Sequence, residues 1–153
     1  MKKIQRLYKE EKYKDIKDLL EKFVNRFKNN LAFKLKKKNE YEEITYERFK
    51  NDIDSLQMGF ISKGIKNKRI AVIGPNSYEW ALTYFATLCS NNVLVPLDKG
   101  LPEGEIESLL QRSSADVVVF DEKYCDVMNK FKNEKTTNVS NFICMKKTEE
   151  FEY

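Results

Sequence analysis

Two spacings of apolar residues take turns along this chain. Ile16, Leu19, Leu20, Phe23, Val24 and Phe27 recur in steps of three and one. Such steps keep side chains on one stripe of a 3.6-residue helix, so the pattern predicts an amphipathic helix over 15–28. Asn29-Asn30 suits its end, because asparagine tolerates the left-handed backbone. Phe33 and Leu35 then alternate with Lys34 and Lys36, the period-2 signature of a strand. Asn39-Glu40 marks a turn, and Glu43–Tyr46 reads as the returning strand. Thr45 can cap a second helix, whose apolar residues Phe49, Ile53, Leu56 and Phe60 share a face. Gly64 ends that helix, with Ile65 placed for a hydrophobic contact just beyond the stop.

From Arg69 onward short continuous apolar runs replace strict alternation. Arg69–Gly74, Val93–Pro96, Asp116–Phe120 and Asn141–Met145 read as strands. Between them lie helical patterns. Tyr78–Asn91 carries apolar residues around most of its circumference, which predicts a largely buried helix. Pro102 stands at a helix start, followed by Ile106, Leu109 and Leu110. Asp121 can cap a helix running to about Lys132. Strand–helix–strand order with apolar strands predicts an α/β fold: a mainly parallel sheet flanked by helices, preceded by a small antiparallel strand pair. The expected division is a polar extension over 1–14, one α/β unit over 15–145 and an acidic tail over 146–153.

Length supports one core, since 153 residues make about one ordinary domain. Charged residues reach 34% against about 25% in an average domain, so the surface is highly charged. The charge is uneven. Residues 1–38 carry 14 Lys+Arg against 5 Asp+Glu, a net of +9, while residues 39–153 carry 14 against 19, a net of −5. The favoured reading of the basic third is a solvated helix face followed by a lysine-rich turn. A weak membrane-surface contact through residues 1–38 is the alternative, and no nucleic-acid motif surrounds the cluster. No apolar run approaches the roughly 20 residues of a membrane-spanning helix. Cys89, Cys125 and Cys144 form no CxxC, and with no apolar leader at residues 1–20 they are expected as reduced thiols in the cytoplasm, Cys89 and Cys125 inert in apolar surroundings.

Histidine is absent. Without it there is no Ser–His or Cys–His pair, no HExxH metal site and no imidazole base. The Gly74-Pro75-Asn76-Ser77 loop joins a strand to a helix, where free amides can bind phosphate. It matches neither GxGxxG nor GxxxxGK[ST], and Gly-Pro-Asn-Ser is also an ordinary turn with a serine cap. The carboxylate sets Asp52/Asp54, Glu103/Glu105/Glu107 and Glu149/Glu150 read as surface groups rather than an acid–base pair. Trp80, Tyr84 and Phe85 read as core, with base stacking or the lining of a pocket as the alternative. No catalytic, cofactor-binding or metal-ligating residue is assigned from the residues themselves.

Several stretches carry a resemblance. KDLLEKF, ITYERF, KGIKNKRIAVIGPNSYEWALTYFATL and VLVPLDKGLPEGEIESLLQRSSADVVVF occur in the order and spacing of the N-terminal part of adenylate-forming enzymes. Within that superfamily they most resemble long-chain acyl-CoA synthetases, over roughly residues 15–124. The resemblance implies the fold of that N-terminal subdomain. It also implies a parent enzyme that joins a fatty acid to coenzyme A through an acyl-adenylate, using ATP and Mg²⁺ and releasing pyrophosphate and AMP. The family's phosphate loop, acidic nucleotide motif and catalytic lysine lie downstream of the matching region, so no family site residue transfers to this chain. Two departures stand out. Asn91-Asn92 replace glycines at one turn, and the length is several times below that of a complete synthetase. The expectation is therefore a fragment that is not catalytic alone, with the missing downstream part or a second copy as its partner. The alternatives are a stand-alone interaction module derived from the family and, more remotely, a small nucleotide binder using the Gly74–Ser77 turn.

Overall fold

In a computed structural model the described residues are 11–153. Most of the extension expected over 1–14, and the start of the basic third, lie outside them. Helix α1 spans Ile16–Phe27, capped by the Asp15 carboxylate, which accepts from the Asp18 amide. Strands β1 (Leu31–Lys37) and β2 (Glu40–Thr45) form an antiparallel hairpin. Its turn is Lys38-Asn39, one residue earlier than the sequence suggests, with Lys38 at φ 44°. Helix α2 covers Tyr46–Ser62, and the Thr45 hydroxyl accepts from the Arg48 amide. At its far end Gly64 takes φ 70°, and the Ile65 amide donates back to the Phe60 carbonyl at 2.8 Å. Only a residue free of Cβ strain enters that conformation cheaply, which is why glycine ends the helix.

The remaining elements are β3 (Arg69–Ile73), α3 (Tyr78–Cys89), β4 (Val93–Leu97), α4 (Glu103–Arg112), β5 (Val117–Phe120), α5 (Cys125–Glu134) and β6 (Asn141–Cys144), with a single 3-10 turn at Glu122–Tyr124 before α5. The four later strands form one parallel sheet in the order β4-β3-β5-β6. The chain moves one way from β3 to β4, then reverses across β3 to β5 and β6. With right-handed crossovers this reversal places α3 on one face and α4 and α5 on the other.

Strand periodicity then divides the core. Ala71, Ile73, Val118, Phe120, Phe142 and Cys144 pack under α4 and α5 with Ile106, Leu110, Met128 and Phe131. Ile70, Val72, Val117, Val119, Ile143 and Met145 pack against Leu20, Phe49, Ile53, Phe60 and Ala86 from α1, α2 and α3. Both faces are covered, so β3 and β5 are apolar at nearly every position rather than alternating. None of the described helices is long and apolar enough to cross a membrane.

Two expectations change. Helix α3 is not largely buried: only Thr83, Ala86 and Thr87 are, while Trp80, Leu82, Tyr84 and Phe85 are half-buried. One side of α3 meets the sheet and another meets α1 and α2, leaving its remaining flank open. The acidic segment 146–153 returns to the sheet instead of trailing away. Phe151 is buried edge-on against Phe120, with ring centroids 4.9 Å apart, and Cys144 N–H donates to the Glu152 carbonyl at 2.8 Å.

Candidate functional site

The order reversal between β3 and β5 is where open α/β sheets usually hold ligands, outside the carboxyl ends of the strands. Here that place is filled. A Cβ on Gly74 would stand 3.1 Å from the Asp121 Cβ, and the Asp121 amide donates to the Ile73 carbonyl. The Ser77 hydroxyl caps α3 by accepting from the Trp80 amide at 3.1 Å. The Gly74–Ser77 loop is thus a packed turn with a cap. A carboxylate stands beside it, which disfavours a polyphosphate. Among the described residues no group of three or more Cys, Asp or Glu is placed to hold a metal.

A cleft of about 520 Å³ lies elsewhere, between the hairpin, α2, α3 and the ends of β5 and β6. Ile44, Val119, Ile143 and Met145 form its floor, and Leu35, Leu56 and Leu82 its walls. The caps set its mouth. Thr45 starts α2 so that Arg48 and Asp52 stand one turn apart, and Ser77 starts α3 with Tyr78 facing them. The Tyr78 hydroxyl donates to Asp52 Oδ2 at 2.6 Å. Arg48 pairs with Glu42 at 2.8 Å and its Nε lies 3.7 Å from Asp52, while Lys37 reaches Glu42 at 3.5 Å.

The electrostatics make this cluster a closed set. Burial, then the hydrogen bond to Asp52, pushes the Tyr78 hydroxyl above its ordinary value. The hydrogen bond from Arg48 holds the Glu42 carboxyl below the usual range and raises the Arg48 guanidinium in turn. Tyr78 stays neutral and donating, and both carboxylates are matched by cations. Within this cluster each charge has a partner, and the cleft behind it is lined mainly by apolar side chains, with the Glu79 carboxylate also on its lining. One result follows from the sign of the Tyr78 shift. The unfolded tyrosine ionises near pH 10 and the folded one later, so its stabilisation is complete below about pH 10 and declines above it. Tyr78→Phe should flatten that alkaline decline, at a cost of about 1 kcal/mol at pH 7 for the lost hydrogen bond. Urea unfolding at pH 7, 10 and 11.5 checks this; equal alkaline slopes in both proteins would refute it.

Of the carboxylate sets named above, Asp52 alone lines the cleft. Asp54 pairs with Lys50, Glu103 with Lys130, and Glu150 accepts from Asn129. Trp80 stacks on Tyr84 at 5.4 Å and Tyr84 meets Phe85 at 5.6 Å, so these rings occupy one another. The thiols are free, and burial pushes those of Cys89 and Cys125 up, Cys125 to about 11. The sequence reading missed the mouth of the cleft. Its one available signal was Asp52 beside Ile53, a carboxylate on the border of an apolar stripe.

Comparison with known proteins places the chain among similar ones. The family described as AMP-binding enzyme matches residues 20–152. The medium-chain acyl-CoA ligase ACSF2, mitochondrial, of Homo sapiens is 29% identical over 102 residues, covering 66% of this chain and 15% of the relative. The protein of the same name from Rattus norvegicus is 26% identical over 132 residues, covering 86% of this chain and 20% of the relative. The chain thus spans a fifth or less of these relatives. A solved putative long-chain-fatty-acid CoA ligase from Rhodopseudomonas palustris superposes with TM-score 0.79 at 18% identity, covering 90% of this chain and 34% of that one. A long-chain-fatty-acid-CoA ligase from Archaeoglobus fulgidus gives TM-score 0.76 at 18% identity, covering 90% of this chain and 28% of that one. The sheet, its flanking helices and the hairpin therefore share the fold of acyl-CoA ligase structures.

Proposed function

Since this chain belongs to the AMP-binding enzyme family, we propose that it is the N-terminal scaffold segment of an acid–CoA ligase and performs no catalytic step alone. The observation that carries this reading is a contrast. Residues 20–152 match the family almost throughout, yet the chain spans a fifth or less of the relatives it matches. In the parent reaction a carboxylate attacks the α-phosphate of ATP and pyrophosphate leaves. A coenzyme A thiolate then takes the acyl group from AMP. Such chemistry depends on positioning and on charge stabilisation of phosphates. This segment contributes a rigid, doubly covered sheet that positions other parts.

The acid is proposed to be aliphatic. The resemblance read from the sequence was to long-chain enzymes, while the relatives above are named as medium-chain ligases. Free thiols at Cys89, Cys125 and Cys144 support a reducing compartment. The sequence suggests the cytoplasm, while the relatives are named as mitochondrial. A stand-alone module docking through its basic third has less support, because Lys22, Arg26, Lys28, Lys34 and Lys37 each pair with a carboxylate.

The purified 153-residue chain should show no ATP–pyrophosphate exchange above the blank with octanoate or palmitate. Calorimetry should show no ATP binding at millimolar ligand. Acyl-AMP formed by this polypeptide would overturn the proposal.

A further inference from the structure

We propose that Cys125 and Cys144 form a reversible dithiol–disulfide couple, oxidised by exchange with a small-molecule disulfide such as oxidised glutathione. The topology brings them together. Parallel strands β5 and β6 end at the same edge of the sheet, where Phe120 pairs with Cys144. Leaving Phe120, the chain makes one 3-10 turn at Glu122–Tyr124 and starts α5 at Cys125. The last residue of β6 and the first of α5 therefore lie at one end of the sheet. They also share a face. Phe142 and Cys144 point to the side that α5 covers, as alternation along a strand requires, and Cys125 packs on that same cluster. Burial, then the charge of Cys144 and a hydrogen bond with it, raises the Cys125 thiol, so the two sulfurs are neighbours. Cys89 packs in the cluster on the opposite face, across the sheet from both.

Burial separates the roles. Cys125 is half-buried and Cys144 is buried, so a disulfide in solution reaches Cys125 first. The Cys125 thiolate attacks one sulfur of the small disulfide, that S–S bond breaks, and one small thiolate leaves. The Cys144 thiolate then attacks the Cys125 sulfur of the mixed disulfide and expels the second small thiolate. Two protein thiols are oxidised, one small disulfide is reduced to two thiols, and the protons lost by the cysteines pass to the departing thiolates. The product closes a loop of about 20 residues that contains α5, which removes freedom from the unfolded chain and so stabilises the fold. It also fixes the seat of the returning segment. Glu150 accepts from Asn129 of α5, and the Glu152 carbonyl accepts from Cys144 N–H. In a reducing compartment the couple rests as the dithiol and closes when small disulfides accumulate.

The test incubates the purified 153-residue chain with oxidised glutathione, quenches it in acid and digests it with trypsin without reduction. Cleavage after Lys123, Lys130, Lys135 and Lys146 makes the couple appear as one linked pair, Tyr124–Lys130 with Thr136–Lys146. That pair is expected as the main product, with Cys89 still free and the intact mass lower by two hydrogens. Oxidation should raise the melting temperature by roughly 5–10 °C, and dithiothreitol should reverse the rise. Because Cys125 ionises only at about 11, exchange should quicken about tenfold per pH unit from pH 7 to 9.5. An exposed thiol would level off near its ordinary value of about 8.5. Cys144→Ser should trap one glutathione on Cys125, Cys125→Ser should abolish the linked pair, and Cys89→Ser should leave its yield unchanged. Should Cys144→Ser fail to fold, the linked peptide and melting shift of the unsubstituted chain decide the matter. The proposal is overturned by thiols that all survive the incubation, by glutathione held stably on Cys125 of the unsubstituted chain, or by a Cys89 linkage or disulfide dimer as the main product. An oxidised chain that melts no higher than the reduced one, or a rate that levels below pH 9, overturns it as well.

Discussion

Phe120→Ala is expected to destabilise the chain by about 3–5 kcal/mol, the usual range for emptying a fully buried phenylalanine site. Phe120 ends β5 with no exposure and meets Phe151 edge-on, under α5 and beside β6. The neighbours cannot collapse into the gap, because Phe120 stands on a strand paired with both β3 and β6. Losing the ring also releases Phe151, the one aromatic that fastens the returning segment 146–153. Phe120→Leu should recover more than half of the loss by refilling volume. Urea unfolding monitored by circular dichroism checks this. A midpoint that falls with an unchanged slope identifies a stability change, whereas a Phe120→Ala midpoint matching the parent would refute the packing assignment.

On the opposite face Phe60→Ala should cost a similar amount, about 3–5 kcal/mol. Phe60 is buried between α2 and the sheet, in the cluster that holds Ile53, Ile65 and Val72. Its carbonyl also receives the Ile65 amide at the glycine-terminated helix end. Removing the ring therefore loosens the contact that accompanies that stop, in addition to opening a cavity. For a domain of this size the loss corresponds to a melting temperature lower by roughly 10 °C. Conversely Gly64 should tolerate no β-branched residue, since its φ of 70° strains any Cβ. Differential scanning of Phe60→Ala settles the first claim, and a shift below about 2 °C would contradict it.

The sheet was legible because its causes are local. Val117–Phe120 and Arg69–Ile73 are apolar runs too short for helices, and Thr45, Ser77 and Gly64 are caps whose chemistry acts within a few residues. Helix α3 was misjudged because a circumference of apolar residues records composition, not the number of neighbours. The sequence of Trp80, Leu82 and Tyr84 does not say that one flank lies open. Phe151 was read as part of a tail because its partners, Phe120 and Phe142, are set by the fold rather than by spacing. The cleft mouth was illegible for the same reason. Asp52 and Tyr78 lie 26 positions apart, and only the packing of α2 on α3 brings them to hydrogen-bonding distance. The family resemblance was carried by ordered stretches such as ITYERF and VLVPLD, and the match over residues 20–152 extends it nearly to the last residue.

One layer of the molecule comes from residues that precede all four parallel strands. Helix α1, the hairpin and α2 leave the ribosome before any part of the surface they cover exists. At roughly 5–20 residues per second, translation needs on the order of ten seconds to progress from the last turn of α2 to β6. For much of that interval Leu20, Phe49, Ile53 and Phe60 lack the complete sheet they rest on, since β3, β4 and β5 arrive one after another. Nascent chains are then most exposed to chaperone capture and to premature clumping, and slower decoding of the strand-coding stretch should lengthen that vulnerable period.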